Sequence, residues 1–209
     1  MSYVIAYVDG VEAERESFVA DSYLQGENNM IVEAVDPKHK PNVDQMVYHL
    51  LDLNIDALVT EYKLSEFAVV NYSGKDLSDC MLQNRPEFPC FIRTHYEKEA
   101  IQEQMDVNMV YKKPGPDFIR VMIQIENYRA RINDRQNELI ALMKIDPDER
   151  TDGQIDQILE LDHFLEKSLG GTYAIPKNLK RDIFVGKRMK LIEEAEQLIK
   201  EIRHQLNGS

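Results

Sequence analysis

An α/β fold, with a five-stranded parallel doubly wound sheet followed by an α-helical C-terminal extension, is predicted by three observations. Short apolar runs alternate with amphipathic segments over residues 1–115, Pro114, Gly115 and Pro116 then break the pattern, and the remainder carries helical periodicity. Strands that alternate with helices pair in parallel, because parallel neighbours need a crossover segment between them.

The expected strands are YVIAYVD, MIVEAV, DALVTE, PCFIRT and VNMVYK, each short and rich in β-branched or aromatic residues. Between them VEAERESFVADSYLQ, NVDQMVYHLLDLN, GKDLSDCMLQNR and KEAIQEQM read as helices. The division this implies is a sheet domain over 1–116 and a helical extension over 117–209. From residue 117 to about 145 no helix breaker occurs, and Phe118, Ile125, Ile132 and Leu139 recur every seven residues. Val121, Tyr128 and Leu142 follow three positions after members of that series, so one long helix with an apolar seam is expected. Asp146-Pro147-Asp148-Glu149 opens a second helix over about 149–169, closed by Gly170-Gly171. Ile192, Ala195, Ile199, Ile202 and Leu206 give a third, over about 178–206. The tail therefore reads as a helical hairpin or bundle. Part of the seam is expected to pack internally, and the rest to dock a protein partner or a second copy of the chain, as a homodimer through the long helix.

Composition narrows the function. The net charge of −12 is concentrated in residues 1–116, with 20 acids against 10 bases, a balance that repels nucleic acid. Lys177 to Lys190, KNLKRDIFVGKRMK, is the exception, with six bases and one acid; it reads as a solvated helix face, and a nucleic-acid-binding output is its alternative. No apolar run approaches the roughly 18 residues a membrane span needs, and MSYVIAYVDG lacks the features of a secretory signal, so a cytoplasmic location without membrane association is expected. Cys80 and Cys90 are too few for a disulfide framework. No phosphate-binding loop or Ser-His-Asp pattern is present, and His163 reads as an exposed helix histidine, so no independent enzyme activity is expected.

The polar residues that matter end the strands: Asp9 after the first, Glu61 after the third, Thr94 at the end of the fourth, Lys113 after the fifth. In a doubly wound sheet ligands bind at the carboxyl ends of strands, where these four converge. A glutamate ending a buried strand needs water or a partner, and Lys113 is the partner the topology offers.

With these residues, positions 1–115 resemble a response-regulator receiver domain, a flavodoxin-like fold. The resemblance implies that Asp9 in YVDG and Glu61 in DALVTEYKL, with the backbone carbonyl of Lys63, are metal ligands for magnesium. It further implies that Glu61 stands at the phospho-acceptor position, that Thr94 in PCFIRTH and Lys113 in YKKP are the switch and phosphate-binding residues, and that a histidine kinase is among the partners. The sequence departs from the family at Gly10, where a second acid is expected, at Glu61 itself, where the family has aspartate, at His95 in place of a small residue, and at Val110 in place of a switch aromatic. Loss of the acid at position 10 weakens magnesium binding, and the longer Glu61 side chain displaces the nucleophile from an in-line position. The expectation is a pseudo-receiver in which Glu61 mimics a phosphorylated aspartate and regulates protein–protein interaction through the tail. The alternative is a magnesium-dependent phosphorelay with Glu61 as acceptor.

Overall fold

The computed structural model describes residues 2–25, 29–103, 109–115 and 118–169. The third tail helix and the basic segment from Lys177 to Lys190 lie outside the described residues. Five strands, β1 (Tyr3–Val8), β2 (Met30–Val35), β3 (Ala57–Thr60), β4 (Cys90–Thr94) and β5 (Val110–Lys112), form one sheet in the order β2-β1-β3-β4-β5 with every neighbouring pair parallel. The helices are α1 (Glu12–Gln25), α2 (Val43–Asp52), a short α3 (Leu64–Phe67), α4 (Gly74–Asn84), α5 (Glu97–Glu103), α6 (Phe118–Met143) and α7 (Asp152–Ser168). Every strand and helix expected within the described residues is present, and α3 is added inside the stretch that joins β3 to α4.

Local chemistry sets the helix starts. Asn42 caps α2 through Asp44 N, Ser73 and Asp76 form a capping box on α4, and Thr151 and Gln154 form another on α7. The sheet is covered on both faces, as a parallel sheet must be. One face packs Ala6, Val8 and Leu58 against Met46, Leu50, Leu77 and Met81 of α2 and α4, and the other packs Ile5, Tyr7 and Phe91 against Phe18 of α1 and Phe118, Val121 and Ile125 of α6.

The seam of α6 corrects one expectation. Phe118, Ile125 and Ile132 are buried, and Leu139 is partly buried against the first core, so they are not a free interaction surface. The physical reason is that α6, about 39 Å long at 1.5 Å per residue, outruns the sheet. Its first three turns lie on the α1 face, while Tyr128 and Ile132 reach the core that also holds Phe88 and, from α7, Leu165. The core is therefore continuous across the 116/117 boundary. Near its middle, Arg129 pairs with Asp56, which immediately precedes β3, at 2.8 Å, so α6 crosses the amino edge of the sheet. Arg150 then closes the hairpin turn by donating to the carbonyls of Met143, the last residue of α6, and of Ile145 just beyond it. His163 is half-buried on α7 rather than exposed. Among the described residues no helix is long and apolar enough to cross a membrane.

Candidate functional site: a locked acid cluster at the carboxyl edge

Strand register assembles the site. Val8 pairs with Thr60 and Thr94 with Lys112, so the residues that follow, Asp9, Glu61 and Lys113, leave the same edge of the sheet. Asp9, Glu61, Thr94 and Lys113 are all buried. The Lys113 ammonium lies 2.8 Å from Asp9 Oδ2 and 2.7 Å from Glu61 Oε2. Thr94 Oγ1 donates to Glu61 Oε1 at 2.7 Å and accepts from the Tyr96 backbone N–H. The strand-ending glutamate thus has its partner in Lys113.

Two glycines permit this closeness. A Cβ at Gly74, the first residue of α4, would lie 2.1 Å from the Glu61 carbonyl oxygen, and one at Gly10 would lie 2.7 Å from the Phe67 carbonyl oxygen. Gly10 is therefore more than a missing acid. The backbone that follows β3 occupies the space an acidic side chain would need.

Three residues complete the cluster without having been singled out in the sequence: Tyr7, Glu14 and Arg93. Tyr7 donates its hydroxyl to Asp9 Oδ2 at 2.6 Å. Glu14, in the first turn of α1, brings a third carboxylate to 3.4 Å from Lys113 Nζ and 2.8 Å from Arg93 Nη1. Arg93, 1% exposed, also donates to the Tyr7 hydroxyl at 2.6 Å, to the Gly115 carbonyl at 2.6 Å and to the Pro114 carbonyl at 3.2 Å. The sequence carried one signal for it: a charge inside PCFIRT, a strand otherwise suited to full burial. His95 is exposed, with Nε2 3.7 Å from Glu14. Val110, at the position of the expected aromatic, is buried with Tyr62, Ile92 and Ala100.

The electrostatics follow from burial and pairing. Burial alone opposes the charge on Lys113, but the hydrogen bonds and fields of Asp9 and Glu61 prevail and hold its pKa above the ordinary lysine value. Burial likewise opposes ionisation of Glu14, and Arg93 with Lys113 more than offsets it, so the Glu14 carboxyl sits below the usual glutamate range. The Tyr7 phenol is pushed up, first by burial and then by the adjacent Asp9 carboxylate.

The donor set does not fit a divalent cation as arranged. Asp9 Oδ1 accepts from the Val11 N–H at 2.9 Å, and its Oδ2 is held by Tyr7 and Lys113. Glu61 Oε1 accepts from Thr94 and the Lys63 N–H, and its Oε2 is held by Lys113. The Lys63 carbonyl accepts from Glu66 N–H, and the Lys63 ammonium turns to Glu99 at 2.9 Å and lies over the Tyr96 ring. A small cation demanding near-octahedral oxygen ligation would have to displace Lys113 and find the ligand that position 10 lacks.

The architecture is a flavodoxin-like doubly wound sheet in the order β2-β1-β3-β4-β5, with Asp9, Glu61, Thr94 and Lys113 brought together at its carboxyl edge. No family model matches the chain, and no curated protein sequence matches it. Among solved structures the chain is similar to a response regulator receiver protein from Sinorhizobium medicae WSM419, with a TM-score of 0.45 and 17% identity over 61% of this chain and 97% of that one. It is also similar to a double mutant of the anti-anti-sigma factor PhyR from Bartonella quintana, with a TM-score of 0.43 and 14% identity over 63% of this chain and 50% of that one. The chain therefore matches half the length of the second protein.

Proposed function

We propose that the protein is a response-regulator-like signalling component whose receiver-like fold acts without phosphoryl transfer, as a regulated protein-interaction module. One observation carries this reading: Lys113 Nζ holds Asp9 Oδ2 and Glu61 Oε2 together, at 2.8 and 2.7 Å. A phosphoryl acceptor needs a free carboxylate oxygen in line with its donor and a metal to neutralise the transferred group. Here each Glu61 oxygen already has a donor, and the ammonium occupies the ground between the two carboxylates. Glu61 then acts as a fixed negative charge, the resident counterpart of a phosphorylated aspartate, and catalysis is no part of its role.

In this reading the output runs through α6, which begins at Phe118, a few residues beyond Lys113. With the seam buried, the large apolar side chains α6 leaves outward near its start are Ile119 and Ile123, at 60% and 52% exposure. They are one turn apart and present one surface to a protein partner. A homodimer through the heptad seam is excluded from this reading because its residues are already packed.

The test is intact mass after incubation with magnesium and acetyl phosphate, for the natural protein and for Glu61→Asp. The reading expects no adduct on the natural protein. A phosphoryl group mapped to Glu61 would overturn it in favour of the magnesium-dependent relay. An adduct on Glu61→Asp alone would show that glutamate is what silences the pocket.

A further inference from the structure

We propose that Arg93 is the positioning residue that carries the charge state of the acid cluster to the start of α6. The inference rests on the regulatory reading above and supplies the route it needs.

Three features of the site point to Arg93. First, two hydrogen-bonded paths from the cluster meet on its guanidinium. Asp9 Oδ2, shared with Lys113, accepts from the Tyr7 hydroxyl, which in turn accepts from Arg93 Nη1. Glu14 Oε2, also within 3.4 Å of Lys113, accepts from the same Nη1. Second, the remaining guanidinium nitrogens grip backbone: Nε donates to the Gly115 carbonyl and Nη2 to the Pro114 carbonyl. A guanidinium is a rigid planar fork, so a shift of its acid-facing edge displaces its carbonyl-facing edge. Third, the group lies 5.2 Å from the centre of the Tyr7 ring and 5.5 Å from that of Phe18, and Phe18 packs at 5.1 Å against Phe118, the first residue of α6.

The positions at which a receiver would be expected to switch offer no such route here. Val110 is a small buried aliphatic without a polar group, and the Thr94 hydroxyl is committed to Glu61 and the Tyr96 N–H. The cluster counts three carboxylates, Asp9, Glu14 and Glu61, against two cations, Lys113 and Arg93. Neutralising Glu61 leaves Lys113 with Asp9 and Glu14 alone. That draws the ammonium toward Glu14, the very acceptor Arg93 shares.

The experiment is a double-mutant cycle read by amide hydrogen exchange over residues 118–125, using the full chain. Glu61→Gln is introduced into the natural protein, into Arg93→Met and into Arg93→Lys; the last keeps a cation but lacks the fork, and serves if the methionine variant does not fold. In the natural background Glu61→Gln should change exchange in this segment by about threefold or more, within the range of coupling between members of one network. In both Arg93 backgrounds that change should be lost. A merely structural arginine would add its own effect and leave the response to Glu61→Gln intact, and that result would overturn the inference while sparing the regulatory reading. No response to Glu61→Gln in the natural protein would overturn both.

Discussion

The two edges of the sheet use the same chemistry under opposite conditions. At the carboxyl edge, Asp9, Glu61, Lys113 and Arg93 are shut away from water, with side-chain exposures of 4% or less for the Lys113 pairs to Asp9 and Glu61. At the amino edge Arg129 pairs with Asp56, and Arg131 and Arg135 both pair with Glu87, with side chains 24–44% exposed. A buried ion pair gains little over an apolar replacement, yet removing one member strands the other and costs several kcal/mol. An exposed pair is screened by water and salt and is worth little. The carboxyl edge is therefore a specific, breakable lock, and the amino edge is a fastening in which apolar contact with Tyr128, Ile132 and Leu165 does most of the holding.

The largest effect that tests this contrast is expected from Lys113→Met. It leaves two buried carboxylates facing each other, and urea denaturation should show a loss of about 3–5 kcal/mol. Ile132→Ala should cost about 2–4 kcal/mol in the isolated protein, because the residue is buried in the shared core; a neutral result would return it to the role of a docking surface. Gly10→Asp, which introduces the second acid that receiver domains carry, should lose about 1–3 kcal/mol by crowding the Phe67 carbonyl, and calorimetry should find no gain in magnesium binding.

The pH dependence sharpens the same comparison. Glu14 has a folded pKa below its unfolded value, so its contribution is present above about pH 4.3 and is lost as pH falls through the folded value. Lys113 has a folded pKa above its unfolded value, so its contribution is complete below about pH 10.4 and disappears as pH rises through the folded value. Urea midpoints should therefore hold across neutral pH and fall at both ends. The smallest effect is expected from Glu87→Gln, at under about 1 kcal/mol and fading with added salt. A larger loss would mean that the amino edge depends on charge after all.

How much of this was legible depends on whether the information was local. Strands such as MIVEAV and the series Phe118, Ile125, Ile132, Leu139 announce themselves through spacing, and the strand ends place Asp9, Glu61, Thr94 and Lys113 once a doubly wound order is assumed. Tyr7, Glu14 and Arg93 were not legible in that way. Glu14 reads as an ordinary helix acid, and only the approach of α1 to β4 gives it Arg93. The seam shows the opposite limit. Its seven-residue period says that one face of α6 must be covered but does not name the cover, and the sheet and α7 supply it. Gly10 likewise reads as a missing ligand, whereas the fold makes it a site of close backbone approach.

The central claim is that Lys113 locks the pocket by holding Asp9 and Glu61 together. The most direct measurement is lysine-selective nitrogen-15 NMR of the Lys113 side chain, titrated with pH in the absence and presence of millimolar magnesium. The ammonium should titrate above the ordinary lysine value, and magnesium should leave its resonance in place. A Lys113 that titrates at or below that value, or that magnesium displaces from the two carboxylates, would contradict the claim.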